Sequence, residues 1–283
     1  MAISVIGAKH ERRGQECEDA SDAESIADHL EVVALSDGHG SENAPRSHIG
    51  ARFAVESAIE VIEETASEIS LPENEEEGSG DDPQRSITAR FPWGLFGKEE
   101  VEEDRRESKE KAGVFERVFR REMEGNSRLV RRVIGRWRDK IDNDLGCEGP
   151  KKGEENKISE VKQEEGGNYK KYGSTLLVAV TGEEYRFFFK IGDGDILSIP
   201  PVSERDNKDT DTFWVFSPED ENVGEQTYSL SMQAPEKFAE TKFISSRKSR
   251  RSDTPFLLLC TDGYRNSFTN DDDFLEAARE FRG

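Results

Sequence analysis

The sequence predicts an α+β fold, in which antiparallel strands pack with amphipathic helices. The largely apolar run Leu30–Leu35 and the uniformly apolar run Pro255–Cys260 are typical of buried strands. The apolar runs Tyr172–Val180 and Tyr185–Ile191 are separated only by a short polar turn, which indicates an antiparallel hairpin. Apolar residues at helical intervals in two other segments are the third observation.

The first half of the chain predicts two strands and two helical regions. Ile3–Ile6 is a short strand candidate, and Leu30–Leu35 follows it as a buried strand. A helix is predicted from about Pro45 to Glu64, where apolar residues recur at near-helical spacing. The segment Val114–Leu145 has the same periodicity and predicts one or two amphipathic helices.

The second half of the chain is richer in strands. Ile196–Ile199 is the strand that follows the hairpin, and Phe213–Phe216 and Tyr228–Ser231 are strand-like pieces among polar loops. The run Pro255–Cys260 has the composition of a strand that is covered on both faces. A short helix is predicted at Asp272–Phe281.

Two charged segments interrupt this pattern. Residues 65–111 are rich in Glu, Ser, Gly and Asp, which predicts an acidic, mobile insertion. Its aromatic island, Phe91–Phe96, is expected to dock on the body of the protein or on a partner. Residues 148–171 are predicted to form a second charged linker or loop. Apart from these segments, the sequence predicts a single domain over residues 1–283.

The composition excludes several classes of partner. The formal net charge of -21 repels nucleic acid and anionic membrane surfaces, and it favours cations. The acidic excess suits a protein that stays soluble in concentrated salt, and it suits a solvated segment equally well. Three cysteines without motif spacing indicate reduced thiols, and neither a secretory leader nor an apolar run of about 20 residues is visible. We therefore expect a cytoplasmic protein, and we expect it to be a monomer.

Four acidic clusters stand where apolar runs end in chain-reversing residues. They are Glu18-Asp19, Asp37-Gly38-His39-Gly40, Asp193-Gly194-Asp195 and Asp262-Gly263. Asp37 and Asp262 each follow a predicted buried strand, so two strands bring an Asp-Gly pair to the rim of a sheet. Because Asp-Gly is also a common turn pair, an ordinary turn is the alternative for both. For the cluster that begins at Asp193, a hairpin turn is favoured over a metal site.

Two further motifs are assigned structural roles. Gly173-Ser174-Thr175 is expected to admit a close backbone approach at its glycine. Asp142-Asn143-Asp144 is similar to the start of a calcium loop, but Gly153 stands where the closing Glu is required. We therefore reject a calcium site there.

In this order, the motifs resemble those of the metal-dependent serine/threonine phosphatases of the protein phosphatase 2C (PPM) family, most of all its compact prokaryotic branch. The matching pieces are Gly14–Ala20, Ser36–Ser41, Gly173–Thr175, Ile191–Asp193 and Thr261–Gly263. The resemblance implies a four-layer α-β-β-α sandwich of two antiparallel sheets flanked by helices, with a two-metal site at one end. It also implies Mn²⁺ or Mg²⁺, because hard oxygen ligands select such ions.

The resemblance also implies the ligands of two ions and of a third, weaker one. Asp37 would bridge the two ions, and the Gly38 carbonyl and the Asp262 carboxylate would each complete one shell. Glu18 and Asp19 would bind directly or through water, and Asp193 would hold the third ion.

The same resemblance assigns two catalytic residues. His39 matches the general acid that protonates the leaving serine or threonine oxygen. Arg13, or its neighbour Arg12, would hold the substrate phosphate, since a guanidinium fork fits phosphate oxygens. The spacing from these arginines to the first acidic pair leaves the choice between them open.

One departure from the family pattern leaves three functions in competition. Family members carry a further Asp that leads into a last strand, and Asp271, Asp272 and Asp273 follow Asp262 too soon to replace it. The first function is an Mn²⁺- or Mg²⁺-dependent phosphatase that acts on phosphorylated proteins. The alternatives are a catalytically impaired module that binds phosphoproteins, and a small-molecule phosphomonoesterase.

Overall fold

The computed structural model describes ten stretches of the chain. They are residues 17–27, 30–70, 113–114, 116–122, 128–147, 167–182, 185–200, 212–217, 228–245 and 255–281. The predicted strand Ile3–Ile6, Arg12, Arg13 and the aromatic island Phe91–Phe96 lie outside the described residues. Within the described stretches, no helix has the length and apolar character needed to cross a membrane.

Within the described stretches, five strands form the larger sheet in the order β1-β2-β3-β4-β7, and every neighbouring pair is antiparallel. Their bounds are β1 Ala20–Ala27, β2 Leu30–Ser36, β3 Leu176–Thr181, β4 Tyr185–Ile191 and β7 Glu240–Ser245. The predicted hairpin is confirmed, because β3 and β4 pair from Leu176 with Ile191 to Thr181 with Arg186.

Three of the described strands form the smaller sheet, in the order β6-β5-β8 and again antiparallel. They are β5 Asp195–Ile199, β6 Phe213–Trp214 and β8 Phe256–Cys260. The turn at Gly192–Gly194 therefore connects strands of two different sheets, so the hairpin turn predicted there is wrong.

The longer helices pack on the outer faces of the two sheets. The helix bounds are α1 Ser47–Ser70, α2 Arg128–Cys147, α3 Gly167–Lys170, α4 Asp262–Arg265 and α5 Asp271–Glu280, with a 3-10 turn at Pro235–Phe238. Residues 113–114 and 116–122 are also helical. Helix α5 is capped by the Asn270 side chain, which accepts a hydrogen bond of 2.9 Å from the Asp273 amide.

Alternation of side chains along the strands gives a four-layer arrangement. One face of the larger sheet packs on α1 and α2 in a core that includes Phe187 and Trp137. Its other face meets the smaller sheet through a cluster that includes Phe188 and Ile196. The remaining face of the smaller sheet packs on α5 through Phe274. The predicted α+β fold with two antiparallel sheets flanked by helices is confirmed.

The structure corrects several predicted boundaries. Helix α1 continues through 65–70, which was assigned to the acidic insertion, because Thr65 and Ala66 are buried against the core. Likewise, 167–170 forms α3 rather than part of a linker. The strand-like piece Tyr228–Ser231 is a loop and turn, held by Ser229 hydrogen bonds to Ser174 and Ser231.

Helices α1 and α2 are joined by an ion-pair ladder, in which three basic residues of α2 each lie between two glutamates of α1. The contacts are Lys140 to Glu56 (3.0 Å) and Glu60 (2.7 Å), Arg136 to Glu60 (2.9 Å) and Glu64 (2.6 Å), and Arg132 to Glu64 (3.4 Å) and Glu68 (3.0 Å). Partial burial acts to raise the pKa of Glu60, but hydrogen bonds from Lys140 and Arg136 outweigh it and lower that pKa.

Candidate metal centre

Ends of strands from both sheets meet at one edge of the sandwich. The pairs at this edge are Ala20 with Ser36, Leu176 with Ile191, and Asp195 with Cys260. Each predicted acidic cluster lies directly before or after one of these strand ends. The antiparallel topology therefore gathers carboxylates that are far apart in the sequence.

The Asp37 backbone is fixed by Thr175. The amide of Asp37 donates to Oγ1 of Thr175 at 3.0 Å, and the amide of Thr175 donates to the Asp37 carbonyl at 2.8 Å. The Ser36 hydroxyl donates to the Thr175 carbonyl at 2.5 Å. These bonds hold the Asp37 main chain where β2 ends, so its carboxylate leaves the sheet at a defined point.

The Asp37 carboxyl group lies among three other carboxylates. The pKa of Asp37 is raised to about 8. Burial is the largest cause, followed by the charge of Asp19 and a hydrogen bond with it, and then by the charges of Asp262 and Asp193. Without a cation, the ionised form of the Asp37 carboxyl group is therefore disfavoured.

Asp262 belongs to the same cluster. Burial and the charges of Asp193 and Asp19 raise its pKa, although the Gly263 amide stabilises the ionised form. Nδ2 of Asn266 donates to Oδ2 of Asp262 at 3.2 Å, which orients this carboxylate at the start of α4.

The structure thus brings together Asp19, Asp37, Asp193 and Asp262, which we call the carboxylate cluster. In the part of the chain that the structure describes, no three His, Cys, Asp or Glu side chains are grouped as ligands of one ion. The four groups interact as charges rather than as a completed coordination shell. Their chemistry fits a hard divalent cation, because all four supply carboxylate oxygens whose mutual repulsion such an ion relieves.

Glu18 makes different contacts from those of the carboxylate cluster. Its Oε2 accepts a short hydrogen bond from the Ser47 hydroxyl at the start of α1, and its main-chain carbonyl accepts from the Gly38 amide at 3.2 Å. Gly38 is buried and pairs with Ser174 as an isolated bridge. The Glu18 side chain is therefore directed toward the N-terminus of α1.

His39 lies on Gly173, which follows α3. The His39 amide donates to the Gly173 carbonyl at 3.1 Å, and a Cβ on Gly173 would lie only 2.5 Å from Cδ2 of the His39 ring. The close backbone approach predicted for Gly173 is confirmed. Desolvation lowers the pKa of His39, although the charge of Asp193 acts to raise it.

Replacing Gly173 by Ala is expected to displace the His39 ring, because the added methyl group would occupy the space of the imidazole. We expect the NMR signals of the His39 ring to shift, while the melting temperature falls by only a few degrees. The chemical shifts of the four histidines in 13C-labelled protein measure this. An unchanged His39 signal would show that the ring does not lie on Gly173.

Asp195 is a buried carboxylate next to the carboxylate cluster, and the sequence analysis gave it no role. Burial raises its pKa to about 6, while Arg265, whose Nη1 lies 3.9 Å from Oδ1, opposes the shift. Arg265 also binds Asp271 through two hydrogen bonds of 3.0 and 2.9 Å. Asp271 is therefore held by an arginine at the start of α5, and Asp273 lies at the cap of the same helix.

Three more residues near the centre were missed: Arg46, Asp144 and Tyr172, which contact one another. Asp144 was considered only as part of a calcium loop. In the structure, Asp142–Asp144 lies within helix α2 and does not begin a loop. The role of Asp144 depends on its contact with Arg46, which lies 98 positions away in the sequence. No local sequence pattern indicates such a contact.

Comparison with known proteins gives one family and several solved structures. The model of the family described as Protein phosphatase 2C matches residues 6–282. No curated protein matches the chain in sequence.

The solved structures are distant in sequence. A serine-threonine phosphatase 2C from Toxoplasma gondii is 9% identical, covers 90% of this chain and 76% of its own, and has a TM-score of 0.45. A bacterial serine phosphatase is 12% identical, with 94% and 79% covered and a TM-score of 0.40. A serine/threonine phosphatase from Staphylococcus aureus is 11% identical, with 94% and 77% covered and a TM-score of 0.39.

Proposed function

We propose that this chain, which belongs to the protein phosphatase 2C family, is a metal-dependent phosphatase that hydrolyses phosphoserine and phosphothreonine in proteins. The observation that carries the proposal is the carboxylate cluster, which gathers four carboxyl groups next to strand ends of both sheets. An uncompensated cluster of this kind is costly to bury, and a functional need for cations accounts for it.

The proposed ligands are the residues assigned from the family resemblance. Asp19, Asp37, Asp193 and Asp262 would hold two ions and a third, weaker one, with the Gly38 carbonyl as a further donor. Glu18 would join them only after leaving Ser47, to which it is bonded here. Bound Mn²⁺ or Mg²⁺ would supply positive charge for the phosphoryl oxygens. It would also lower the pKa of water, so that hydroxide is available as the nucleophile at neutral pH.

The remaining chemistry is assigned to two side chains. As the oxygen of water forms its bond to phosphorus and the bond to the serine or threonine oxygen breaks, His39 donates a proton to that leaving oxygen. Arg13, or Arg12, would bind the phosphate through its guanidinium fork. Both arginines lie outside the described residues, so these roles rest on the resemblance alone. The cytoplasmic location, the monomeric state and the single domain also remain proposals.

One observation favours a second function, a module that binds phosphoproteins without turnover. Asp271 and Asp273, the acidic residues that follow Asp262, are bound to Arg265 and the α5 cap respectively. If two ions need a ligand that these residues do not supply, the site would retain recognition and lose hydrolysis.

The deciding experiment measures phosphate release from a phosphothreonine peptide across Mn²⁺ and Mg²⁺ titrations, with chelator as the blank. We expect turnover that rises with metal and returns to the blank when chelator is added. Binding of Mn²⁺ and of the peptide without phosphate release would refute the enzyme and support the binding module.

His39→Ala is expected to slow substrates with poor leaving groups most. Hydrolysis of a phosphothreonine peptide should fall by about 10²-fold, because its alkoxide must be protonated as it leaves. Hydrolysis of an aryl phosphate, whose phenolate leaves without help, should fall much less. Comparing kcat/KM for the two substrates tests this role, and equal slowing of both would argue against it.

A further inference from the structure

A side-chain network next to the candidate centre joins three elements that are distant in sequence. It consists of Asp144 in α2, Arg46 just before α1 and Tyr172 just before β3, and we call it the Asp144 network. Oδ2 of Asp144 lies 2.7 Å from Nη2 of Arg46 and accepts a hydrogen bond of 2.5 Å from the Tyr172 hydroxyl. The Arg46 guanidinium lies over the Tyr172 ring, 5.2 Å from its centroid. One carboxylate oxygen therefore connects both partners.

The backbone around Tyr172 is held as firmly as its side chain. Tyr172 is fully buried, and its main chain passes so close to Gly50 of α1 that no side chain fits between them. The Arg46 amide donates to the Lys171 carbonyl at 2.9 Å. Because Asp144 also lies only 21% exposed, its two charge-assisted contacts are protected from solvent screening.

The network leads directly to the residue that supports His39. Gly173 follows Tyr172, its carbonyl accepts from the His39 amide, and its Cα lies against the His39 ring. A shift of Tyr172 would therefore move the surface on which both the backbone and the ring of His39 rest.

We propose that Asp144 is a positioning residue for His39. By holding Tyr172 and Arg46, it fixes Gly173 beneath the imidazole and so aims the imidazole at the leaving oxygen of the substrate. Asp144 itself touches no substrate in this scheme. The inference rests on the proposed phosphatase function for its catalytic consequence, while the positional part concerns the protein alone.

Asp144→Asn tests the catalytic consequence. We expect kcat/KM for a phosphothreonine peptide to fall about 10-fold, since small misplacements of a proton donor are costly. For an aryl phosphate we expect a change of less than about twofold, because that leaving group needs no proton. Tyr172→Phe removes only the hydroxyl, and we expect it to slow the phosphothreonine peptide and spare the aryl phosphate in the same way.

The matched control is Asp142→Asn. Asp142 lies on the same helix, and its Oδ2 accepts a hydrogen bond of 3.1 Å from the hydroxyl of Tyr169, so the variant makes the same change in charge and also alters a bond from a tyrosine hydroxyl. Tyr169 does not precede Gly173 directly, and we expect both substrates to be hydrolysed at the wild-type rate. Equal slowing of the two substrates by Asp144→Asn would show a merely structural role and overturn the proposal.

A second readout does not depend on turnover. In protein with 13C-labelled histidine, the His39 ring signal is identified by its absence from His39→Gln. We expect Asp144→Asn and Tyr172→Phe to shift it and Asp142→Asn to leave it unchanged. If the wild type hydrolyses neither substrate, the proposed function fails. The His39 ring signal then tests by itself whether Asp144 positions the ring. An unchanged signal in folded Tyr172→Phe would overturn it.

Discussion

Replacing Asp37 by Asn is expected to lower metal-dependent phosphate release by at least about 10³-fold. The Asp37 carboxylate is the group on which the charges of Asp19, Asp193 and Asp262 converge, and it is the proposed bridge between two ions. The amide keeps the shape of the side chain and its backbone bonds to Thr175, but it removes the negative charge that a shared cation requires. Steady-state release of phosphate at saturating Mn²⁺ measures the loss.

The same variant should be more stable than the wild type when chelator is present. Without a cation, folding forces the Asp37 carboxyl group either to take up a proton or to add its charge to three neighbouring carboxylates, and the amide removes both costs. Asp22→Asn on β1 is the control, because Asp22 is exposed and its side chain bonds to the Ala23 amide. If Asp37→Asn kept its turnover, or if Asp22→Asn lost turnover equally, the carboxylate cluster would not be the metal centre.

Gly50→Ala is expected to have the largest effect on stability, lowering the free energy of unfolding by about 3 kcal/mol or more. An added Cβ would overlap the main-chain carbonyl of Tyr172, and a backbone atom does not rotate away. The carbonyl of Gly50 also accepts a hydrogen bond of 2.9 Å from Nε1 of Trp137, so α1 is held on both sides. Urea unfolding followed by circular dichroism gives the difference.

Gly135→Ala on α2 is the matched control. A Cβ there meets nothing within 4 Å, so only helix propensity changes. We expect this variant to be more stable by about 0.5–1 kcal/mol. Opposite signs for the two substitutions would assign the Gly50 effect to the close approach. Two changes of the same sign would contradict it.

The central strands were predictable because their side chains are sorted by burial. In β4, for example, Phe187 and Phe189 face the helices while Phe188 faces the other sheet, and both environments select apolar residues. Strand β1 was not predictable, because Ala20–Ala27 contains Asp, Glu and Ser and pairs through its main chain with β2 at an edge of the sheet as far as the chain is described. The edge strand β7 was missed for the same reason.

The candidate site shows the same division. Asp37 and Asp262 were predictable, because each follows a recognisable apolar strand with an Asp-Gly pair. The hydrogen bond between Glu18 and Ser47 depends on how α1 meets the sheet. The contact of Asp144 with Arg46 depends on how α2 packs on α1. Such tertiary geometry leaves no pattern in the local sequence, so these partners emerged only from the structure.

The ion-pair ladder has a consequence for how α1 and α2 find their alignment. Its glutamates recur every four residues, as do its basic residues, so sliding one helix past the other by a single turn would still leave two cations between two glutamates and the third beside one. The ladder therefore favours association of the two helices but discriminates poorly between neighbouring registers. The hydrogen bond from Trp137 to Gly50 is directional and exists in only one of these registers, so it favours the alignment that the charges alone leave degenerate.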